Sequence, residues 1–539
     1  MNLRCLQNVA DVFVEQLAAW GVRFVYGIPG GSVLPILDAI RRSDKVRFIL
    51  VRHESTAAYA ASAYAKLTGR LGVCTAISGA GAANLVTGLA DASWDRAPVL
   101  AITGQVAQDL IGSGVFQEID QYGLFASLAV YNEVLQDPAQ VTEVLPAAMK
   151  AALVRRGVAH IGIPVNLQRE AHCGDIARLE SMIPQPGPAR SDQIEKAAEL
   201  INRSRQPVIL AGSGAFLCRE ELQSLSARLS APVATTPSAK GLFDECNPLS
   251  LGVLGRLGLI CSINAFAGAD LAILIGADIT EQRLIPNVPT VQIVADPLDV
   301  ADGLRTEAVL AGDIKLTAQA LIDLLQAREP GGAPSSFAEC RLESGLRITD
   351  YGLRIHPRSA IDALAKWAKE DAVIGIDIGD ITYWYMQFLP VRRGRTLISS
   401  HLACMGFSLP AALAAQLEHP DRQVIAIAGD GGFAMNMADF TTAVKYKLPV
   451  KVLLLNNNSY GRVVGEEREA GIEEYATDLL NPDFAVFARS CGGLGIRVER
   501  EQDLEDALRT ALESDLPALV EVLTDPTIHP TPTLPPARG

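Results

Sequence analysis

The segment Val424-Ile425-Ala426-Ile427-Ala428-Gly429-Asp430-Gly431 is an apolar run that ends in a carboxylate between two glycines. A short apolar run of this kind is typical of a strand that is buried on both faces of a parallel sheet. A second such run, Lys451 to Asn456, follows after a helical stretch and leads into Asn457. Ligands of open α/β sheets bind at the carboxyl ends of the strands, so we expect Asp430 and Asn457 to lie side by side at that edge.

Oxygen-bearing groups at this edge are suited to hold Mg²⁺. The ion takes oxygen ligands in octahedral geometry and commonly keeps phosphate oxygens among them. The Asp430 carboxylate, the Asn457 amide and the backbone carbonyl of Ser459 would provide the protein ligands. The neighbouring glycines allow backbone N–H groups to approach a diphosphate closely. A Gly-Asp-Gly turn on its own is more often a plain connection, and it is the paired asparagines after the next strand that favour the metal site.

The same alternation of strand and helix patterns runs through the whole chain. It predicts an α/β fold of three domains, each a mainly parallel sheet covered by helices. A chain of 539 residues is also too long for a single core. The domains are predicted at residues 1–172, 192–326 and 357–524, with proline-bearing linkers between them and an extended tail at 525–539. The predicted strands are Phe24-Tyr26, Phe48-Val51, Gly72-Ile77, Val99-Thr103, His160-Pro164, Pro207-Ala211, Val233-Thr235, Leu271-Ile275, Thr290-Ile293, Val373-Ile376, Val424-Ala428, Lys451-Asn456 and Leu519-Val522.

Composition narrows the classes of partner. The formal net charge of −14 gives no basic surface for a phosphate backbone, so we expect a small-molecule partner and not nucleic acid. No apolar stretch is long enough to span a membrane, and the first residues lack the apolar run of a signal peptide. The nine cysteines show no metal-ligand or disulfide-framework spacing, which fits a reducing compartment. We therefore expect a cytoplasmic protein that does not bind membranes.

With these motifs the chain resembles the thiamine-diphosphate-dependent enzyme superfamily, specifically its acetolactate synthase and pyruvate oxidase branch. The resemblance extends from about Val9 to Leu523. It implies that the three domains are the pyrimidine-binding, central and diphosphate-binding domains. It also implies thiamine diphosphate and Mg²⁺ as cofactors, with Asp430, Asn457 and Ser459 as metal ligands. The residues that it assigns to the diphosphate are Gly379, Asp380, Gly431 and Gly432.

Arg52-His53-Glu54 follows an apolar strand and opens a predicted helix. A glutamate is ordinary in a first helical turn, where it interacts favourably with the helix dipole. The resemblance instead implies that Glu54 binds the pyrimidine ring of the cofactor and supports its action as the base that removes a weakly acidic proton. It also places Met405 where a bulky residue bends the cofactor, with the Ala403 carbonyl facing the pyrimidine. The alternative is a methionine that only fills the core.

Two loops of the first domain contain the other catalytic candidates. Gly31 lies in Pro29-Gly30-Gly31-Ser32, which resembles the opening loop of acetolactate synthases, where free N–H groups face a substrate oxygen. Phe116 and Gln117 resemble the pair that synthases and oxidases place near the reacting carbon. Simple decarboxylases of the superfamily have paired histidines there, so release of an aldehyde is the less favoured outcome.

The segment Tyr460-Gly461-Arg462-Val463-Val464-Gly465-Glu466 follows the predicted metal site. Acetolactate synthases resemble it but have a tryptophan in place of Glu466, which selects their second 2-oxo acid, whereas the oxidase branch has an acidic residue there. Arg462 fits neither pattern, so one hypothesis is that its guanidinium pairs with a carboxylate or phosphate of an acidic substrate. The other is a solvated pair of Arg462 with Glu466 at i, i+4 spacing on a helix.

Glycine clusters in the central domain resemble the FAD-binding segments of both branches. Strand-to-helix turns need glycine in any case, and many relatives keep this domain without flavin, so FAD is an optional cofactor in this interpretation. FAD would not separate the branches, because synthases hold it without net redox chemistry. The candidate flavin residues are Gly212, Gly276, Arg283, Asp296 and Asp313.

Three functions follow from these patterns. The first is thiamine-diphosphate-dependent decarboxylation of a small 2-oxo acid with carboligation, as in acetolactate synthases. The alternatives are a pyruvate oxidase- or dehydrogenase-like flavoenzyme and another thiamine-dependent lyase. A non-enzymatic scaffold is disfavoured because Glu54, Asp430 and Asn457 are all present. Since Glu54 and Asp430 belong to different domains, the site needs close domain packing or two subunits, and the resemblance implies a homodimer or homotetramer.

Overall fold

The structure, a computed structural model, describes residues 7–172, 175–183, 185–279, 281–329, 334–343 and 354–533. It contains three six-stranded parallel sheets covered by helices, which confirms the predicted α/β fold. Within these ranges no helix combines the length and the apolarity needed to cross a membrane.

The first sheet is built from strands β1 (Phe24–Gly27), β2 (Arg47–Leu50), β3 (Gly72–Ala76), β4 (Val99–Gln105), β5 (Ala129–Val134) and β6 (Val158–Pro164). Its helices are α1 (Val9–Ala19), α2 (Leu34–Arg42), α3 (Glu54–Thr68), α4 (Ala80–Asn84), α5 (Val86–Trp94), α6 (Gln121–Phe125) and α7 (Val141–Arg155), and α8 (Leu179–Met182) follows in the linker. The strand order is β2-β1-β3-β4-β6-β5. Strands β3, β4 and β6 are buried along their whole length, as expected for a parallel sheet with helices on both faces.

The central sheet is built from β7 (Pro207–Ala211), β8 (Val233–Thr235), β9 (Ser250–Val253), β10 (Leu271–Ile275), β11 (Thr290–Val294) and β12 (Thr306–Ala311). The helices are α9 (Ser191–Arg203), α10 (Arg219–Leu229), α11 (Ile260–Ala267), α12 (Ile314–Leu324) and α13 (Phe337–Glu343). The strand order is β12-β11-β10-β7-β8-β9. The chain therefore adds strands to one side of β7 and later to the other side.

The third sheet is built from β13 (Val373–Ile376), β14 (Arg395–Leu397), β15 (Val424–Gly429), β16 (Lys451–Asn456), β17 (Leu494–Val498) and β18 (Ala518–Leu523). The helices are α14 (Pro357–Trp367), α15 (Asp380–Phe388), α16 (Ser408–Glu418), α17 (Asp430–Asn436), α18 (Phe440–Tyr446), α19 (Gly461–Ala470), α20 (Phe484–Ser490) and α21 (Leu504–Glu513). The strand order is β14-β13-β15-β16-β18-β17.

The strands that the sequence did not reveal are β5, β9, β12, β14 and β17, and all of them lie at sheet edges. Strands β5, β12 and β17 are only partly buried, so they contain no continuous apolar run. Strand β9 includes Gly252 at φ 69°, and β14 has only three residues. Edge strands pair on one side alone, and a mixed or interrupted pattern is sufficient to form them.

The first and third domains pack directly against each other through α3 and α16. Tyr59 and Phe407 meet edge to face with ring centroids 5.8 Å apart, within one apolar cluster that contains residues of both domains. At the start of α3 the Asp439 carboxylate accepts hydrogen bonds from the Arg52 backbone N–H at 2.8 Å and the Thr56 hydroxyl at 2.6 Å. These bonds hold the first turn of α3, which contains Glu54, against the third domain.

Residues 525–533 form a C-terminal segment without helix or strand. Ile528 packs against the apolar core of the third domain. The backbone carbonyl of Thr531 accepts a hydrogen bond from the Gln387 amide at 3.3 Å, and the N–H of Thr533 donates to the Arg256 carbonyl at 3.3 Å. This segment is therefore fastened to both the third and the central domain.

Candidate active site

The carboxyl ends of the strands in the third sheet enclose a crevice. The chain adds β14 on one side of β13, then crosses over and adds β15 and β16 on the other, so the strand order reverses between β13 and β15. Such a switch point is where ligands of open α/β sheets bind. Gly379, Asp430 and Asn457, which follow β13, β15 and β16, all line this crevice.

The residues predicted to bind Mg²⁺ lie on two neighbouring loops of the crevice. Asp430 is the first residue of α17 and is 2% exposed. Asn457 and Ser459 follow β16, and the side-chain oxygen of Asn457 accepts the Ser459 N–H at 3.0 Å. Carboxylate, amide and carbonyl oxygens are thus brought to one wall, which suits an ion that keeps phosphate oxygens as further ligands.

The residues predicted to bind the diphosphate line the same crevice. The backbone of Gly379 is open to it, whereas a Cβ atom on Gly431 would lie 2.5 Å from the Tyr460 ring and one on Gly432 2.7 Å from Asp377. Gly379 has a φ of 138°, a conformation that favours glycine. A Cβ atom added to Gly379 or Gly429 would meet no atom within 4 Å, so the backbone at both positions borders free space. Helix α15 begins at Asp380 and α19 begins at Gly461, and helix N-termini attract anions through their free N–H groups.

The Asp380 side chain also faces the C-terminal segment. Its Oδ2 lies 2.7 Å from Nδ1 of His529. Its Oδ1 is buried and has no hydrogen-bonding partner among the described residues. The open backbone at Gly379 suits an anionic group such as a phosphate, whereas the orphaned Oδ1 is an acceptor and suits a hydrogen-bond donor of a ligand.

Asn481 is a residue of this site that the sequence did not reveal. Its Nδ2 donates to Asp430 Oδ2 at 2.7 Å and lies 3.1 Å from Oδ1 of Asn456 and 3.2 Å from Oδ1 of Asn458. Burial raises the pKa of Asp430 to about 6, and the Asn481 hydrogen bond opposes that rise. Nothing in the local pattern before α20 marks Asn481, because its role depends on a contact between distant parts of the chain.

Asp377, a second residue that was missed, fixes the loop that contains Met405. Asp377 follows β13 and is fully buried. Its Oδ1 accepts the Gly406 N–H at 2.8 Å, and its Oδ2 accepts the Ser408 hydroxyl at 3.2 Å. Burial raises the pKa of Asp377 to about 6. A signal was present, because Asp377 comes directly after an apolar strand as Asp430 does.

A second cavity, which we call the interdomain cavity, adjoins the crevice. It has a volume of about 490 Å³ and lies between the central and third domains. Met405 lines the crevice, whereas Ala403, at an unusual φ of 55°, lines the interdomain cavity. The two predicted pyrimidine contacts therefore lie at the border of the two spaces.

Glu54 is the first residue of α3 and is 8% exposed. Its Oε2 accepts a hydrogen bond from the Asn84 amide at 3.0 Å. A Cβ atom on Gly81 would lie 3.2 Å from its Oε1, so a glycine there leaves room for the carboxylate. The carboxylate is thus held nearly buried by residues of the loop and helix that follow β3.

Gly31 and Gln117 lie close to the same loop. The neighbour of Gly31, Ser32, accepts the Ser78 N–H at 3.0 Å through its hydroxyl oxygen. Gln117 has a φ of 65°, and its carbonyl accepts a short hydrogen bond from the Ser78 hydroxyl. Ser78 therefore joins the two predicted catalytic loops. Phe116 is 87% exposed.

Glu54 with its neighbours Gly81 and Asn84, which we call the Glu54 cluster, is separate from the crevice in the single chain. Of the described residues, those that line the crevice belong to the third domain and the C-terminal segment. Glu54 and Gln117 lie in the first domain among its own loops. Glu54 is therefore not among the described residues that line the crevice of its own chain.

Arg462 and Glu466 both line the interdomain cavity, and Arg462 also lines the crevice. The Arg462 side chain is only 14% exposed. Its Nε donates to Glu466 Oε1 at 3.0 Å, and its Nη2 donates to Glu469 Oε1 at 3.3 Å. The i, i+4 pair is present, but Arg462 is largely shielded from solvent and lies between two cavities.

The candidate flavin residues of the central domain lie at strand ends and helical turns. Gly276 has a φ of 51° and lines a cavity of about 270 Å³ at the switch point between β7 and β10. Gly212 packs against it so closely that a Cβ would meet the Gly276 carbonyl at 2.2 Å. Asp296 and Asp313 cap helical turns by accepting N–H groups, and Arg283 lies 3.8 Å from Glu281. Binding of FAD by this set stays a prediction.

Three segments of the chain match the domains of one family. Residues 7–124 match "Thiamine pyrophosphate enzyme, N-terminal TPP binding domain". Residues 194–321 match the central domain of the same family, and residues 377–522 match its C-terminal TPP binding domain.

Known proteins resemble the chain over nearly its whole length. It is 35% identical to the "Putative thiamine pyrophosphate-containing protein YdaP" of Bacillus subtilis (strain 168), over 96% of this chain and 92% of that protein. It is 33% identical to the "Acetolactate synthase large subunit" of Parasynechococcus marenigrum (strain WH8102), over 98% and 90%. It is 31% identical to the "Acetolactate synthase isozyme 1 large subunit" of Escherichia coli (strain K12), over 98% and 96%. The chain therefore belongs to the thiamine pyrophosphate enzymes, in the branch of the acetolactate synthase large subunits.

Proposed function

We propose that this protein catalyses thiamine-diphosphate- and Mg²⁺-dependent decarboxylation of a small 2-oxo acid, followed by carboligation to a second carbonyl compound. The observation that carries this proposal is the crevice at the switch point of the third sheet, where Gly379, Asp430 and Asn457 meet. The names of the relatives that are acetolactate synthases support carboligation as the second step.

In this proposal the residues of the crevice bind the metal ion and the cofactor, and residues of the first domain act on the proton and the substrate. Asp430, Asn457 and Ser459 hold Mg²⁺, and the open backbone at Gly379 and the start of α15 hold the diphosphate. When bound, thiamine diphosphate supplies the electron sink that accepts the electron pair left by departing carbon dioxide.

Glu54 holds or gives up a proton at the pyrimidine ring. Its near-complete burial and its hydrogen bond from the Asn84 side chain suit a carboxylate that exchanges a proton with a ligand and not with bulk water. Gln117, on the loop joined to Ser78, would orient the substrate.

We also propose that the active unit is a homodimer or a homotetramer built on dimers. A second copy would bring its Glu54 cluster to the crevice of the first. Large apolar side chains that a partner would cover support this arrangement, since Phe116 is 87% exposed, Tyr475 82% and Leu480 103%. We also propose a cytoplasmic location, because the described cysteines are free thiols, as expected in a reducing compartment.

A flavoenzyme of the pyruvate oxidase type is the second candidate. The observation that favours it is that the interdomain cavity and the cavity of about 270 Å³ in the central domain share Asp278 and Ile279 in their linings. Arg96 and Arg156 line the second of these cavities, beside their ion-pair partner Asp299, and would face the phosphates of a dinucleotide.

Product analysis separates these functions. The protein is incubated with pyruvate, thiamine diphosphate and Mg²⁺, with and without an electron acceptor. Carboligation predicts a 2-hydroxy ketone in both reactions. An oxidase predicts an oxidised product of pyruvate, formed only when the electron acceptor is present. If neither pyruvate nor any longer 2-oxo acid is consumed, both proposed functions are contradicted.

A further inference from the structure

An arginine that lines the interdomain cavity has two side-chain nitrogens without a hydrogen-bond partner among the described residues. This cavity shares Ile378, Gly379 and Arg462 with the crevice, so the two spaces are neighbours. Arg256 is among the residues that line it. Its Nε and Nη2 atoms are shielded from solvent and form no hydrogen bond within the part of the chain that the structure describes. Buried N–H groups of a charged side chain are normally paired, because leaving them unpaired is costly.

The carboxylates of the same cavity are already engaged. Glu281 Oε2 accepts the backbone N–H of Arg256 at 3.0 Å. Glu466 Oε1 accepts the Nε–H of Arg462 at 3.0 Å. The third carboxylate, Asp278, lies 3.3 Å from Nε2 of His401. Each acidic side chain of the lining therefore has its own partner.

The two arginines of the cavity differ in their charge balance. Arg462 is paired with both Glu466 and Glu469, so its charge is offset. Tyr383 lines the cavity together with both arginines, and the Arg462 guanidinium carbon lies 5.6 Å from its ring centre. They therefore border the same part of the cavity, and Arg256 is the one whose N–H groups are left to bind an anion.

We propose that Arg256 forms an anion subsite for the distal carboxylate of a dicarboxylic 2-oxo acid whose reacting end lies in the crevice. The inference rests on the proposed function, which places a 2-oxo group there. Nε and Nη2 form one edge of the guanidinium, and this edge binds a carboxylate through two parallel N–H···O bonds. The volume of about 490 Å³ is within the usual range for a small-molecule site.

The test compares wild-type holoenzyme with Arg256→Met, using 2-oxoglutarate and pyruvate as substrates. The ratio of kcat/KM for 2-oxoglutarate to that for pyruvate is expected to fall by about tenfold or more, chiefly through KM. Arg305→Met, at an exposed arginine of the same domain, is the matched control and should keep the wild-type ratio. An unchanged ratio in Arg256→Met, or a wild type that consumes pyruvate but not 2-oxoglutarate, would overturn the subsite and leave the proposed function standing.

A binding measurement separates the subsite from catalysis. Calorimetric titration with glutarate, which has no 2-oxo group to react, is expected to show binding to the wild type and at least tenfold weaker binding to Arg256→Met. Failure to consume any 2-oxo acid would remove the proposed function, and the glutarate titration would still decide the subsite. If Arg256→Met instead loses a bound flavin nucleotide and keeps its substrate ratio, the anion is a cofactor phosphate and the proposal is wrong. Arg256→Gln gives a second, more polar replacement if the methionine variant folds poorly.

Discussion

Nδ1 of His529 lies 2.7 Å from Oδ2 of Asp380, so the C-terminal segment is joined to the wall of the crevice. Ile528 and Thr524 line the crevice next to this contact. The other oxygen of Asp380 is buried without a partner in the described ranges. The C-terminal segment is therefore a structural part of the site that we assign to the diphosphate.

His529→Ala should destabilise the apo protein by about 1–2 kcal/mol, because it leaves the second Asp380 oxygen unpaired as well. The measurement is urea unfolding, combined with amide hydrogen exchange over residues 525–533, where protection should fall. A double-mutant cycle with Asp380→Asn isolates the pair, and a coupling energy near zero would show that the contact contributes nothing.

Glu54→Gln should retain the fold and the cofactor affinity but lose turnover by about 10²–10⁴-fold, as is typical of acid–base groups. Asn84→Ala, which removes the hydrogen bond to Oε2, should show a smaller loss. Glu15→Gln is a suitable control, because Glu15 is exposed and far along the chain from the site. Turnover of Glu54→Gln close to that of the control would exclude the proposed proton transfer.

Asp430→Ala should weaken the binding of thiamine diphosphate in the presence of Mg²⁺, and not only slow the reaction, since it removes the one carboxylate among the predicted metal ligands. Asn481→Ala should weaken the same binding to a lesser degree, because Asn481 orients the Asp430 carboxylate. Calorimetric titration with the cofactor measures both effects. Asp478→Ala, at an exposed position whose backbone pairs with Ser459, serves as the control, and equal affinities in all variants would refute the metal assignment.

The parts of the site that the sequence revealed are those with a local signal. Asp430 and Asn457 each follow a buried apolar strand, and the sheet topology then brings them together. Asn481 and His529 could not be found in this way, because each acts through a hydrogen bond to a residue far away in the chain. The partner of Arg462 could be predicted from i, i+4 spacing, but its burial between two cavities could not.

His401 connects the first domain to the central domain, and its charge should make stability depend on pH. Its Nδ1 lies 2.7 Å from Asp95 and its Nε2 lies 3.3 Å from Asp278. The hydrogen bonds to these two carboxylates raise the pKa of His401 from 6.5 to about 10. Lys66, 2.6 Å from Asp95, and Arg96 and Arg156, which line a cavity with Asp278, are further cations that face the two carboxylates.

A histidine whose pKa is higher in the folded than in the unfolded protein binds its proton more tightly when folded. Its contribution to stability is therefore complete below pH 6.5 and is lost as the pH rises toward about 10. We expect the free energy of unfolding of the wild type to fall by about 2–4 kcal/mol across this range.

His401→Gln should be less stable than the wild type near neutral pH, and its free energy of unfolding should depend less steeply on pH. Urea unfolding at a series of pH values measures both curves. In His419→Gln the steep dependence should persist, because burial lowers the pKa of His419 and it titrates below this range. Parallel curves for wild type and His401→Gln would mean that His401 is not the group responsible.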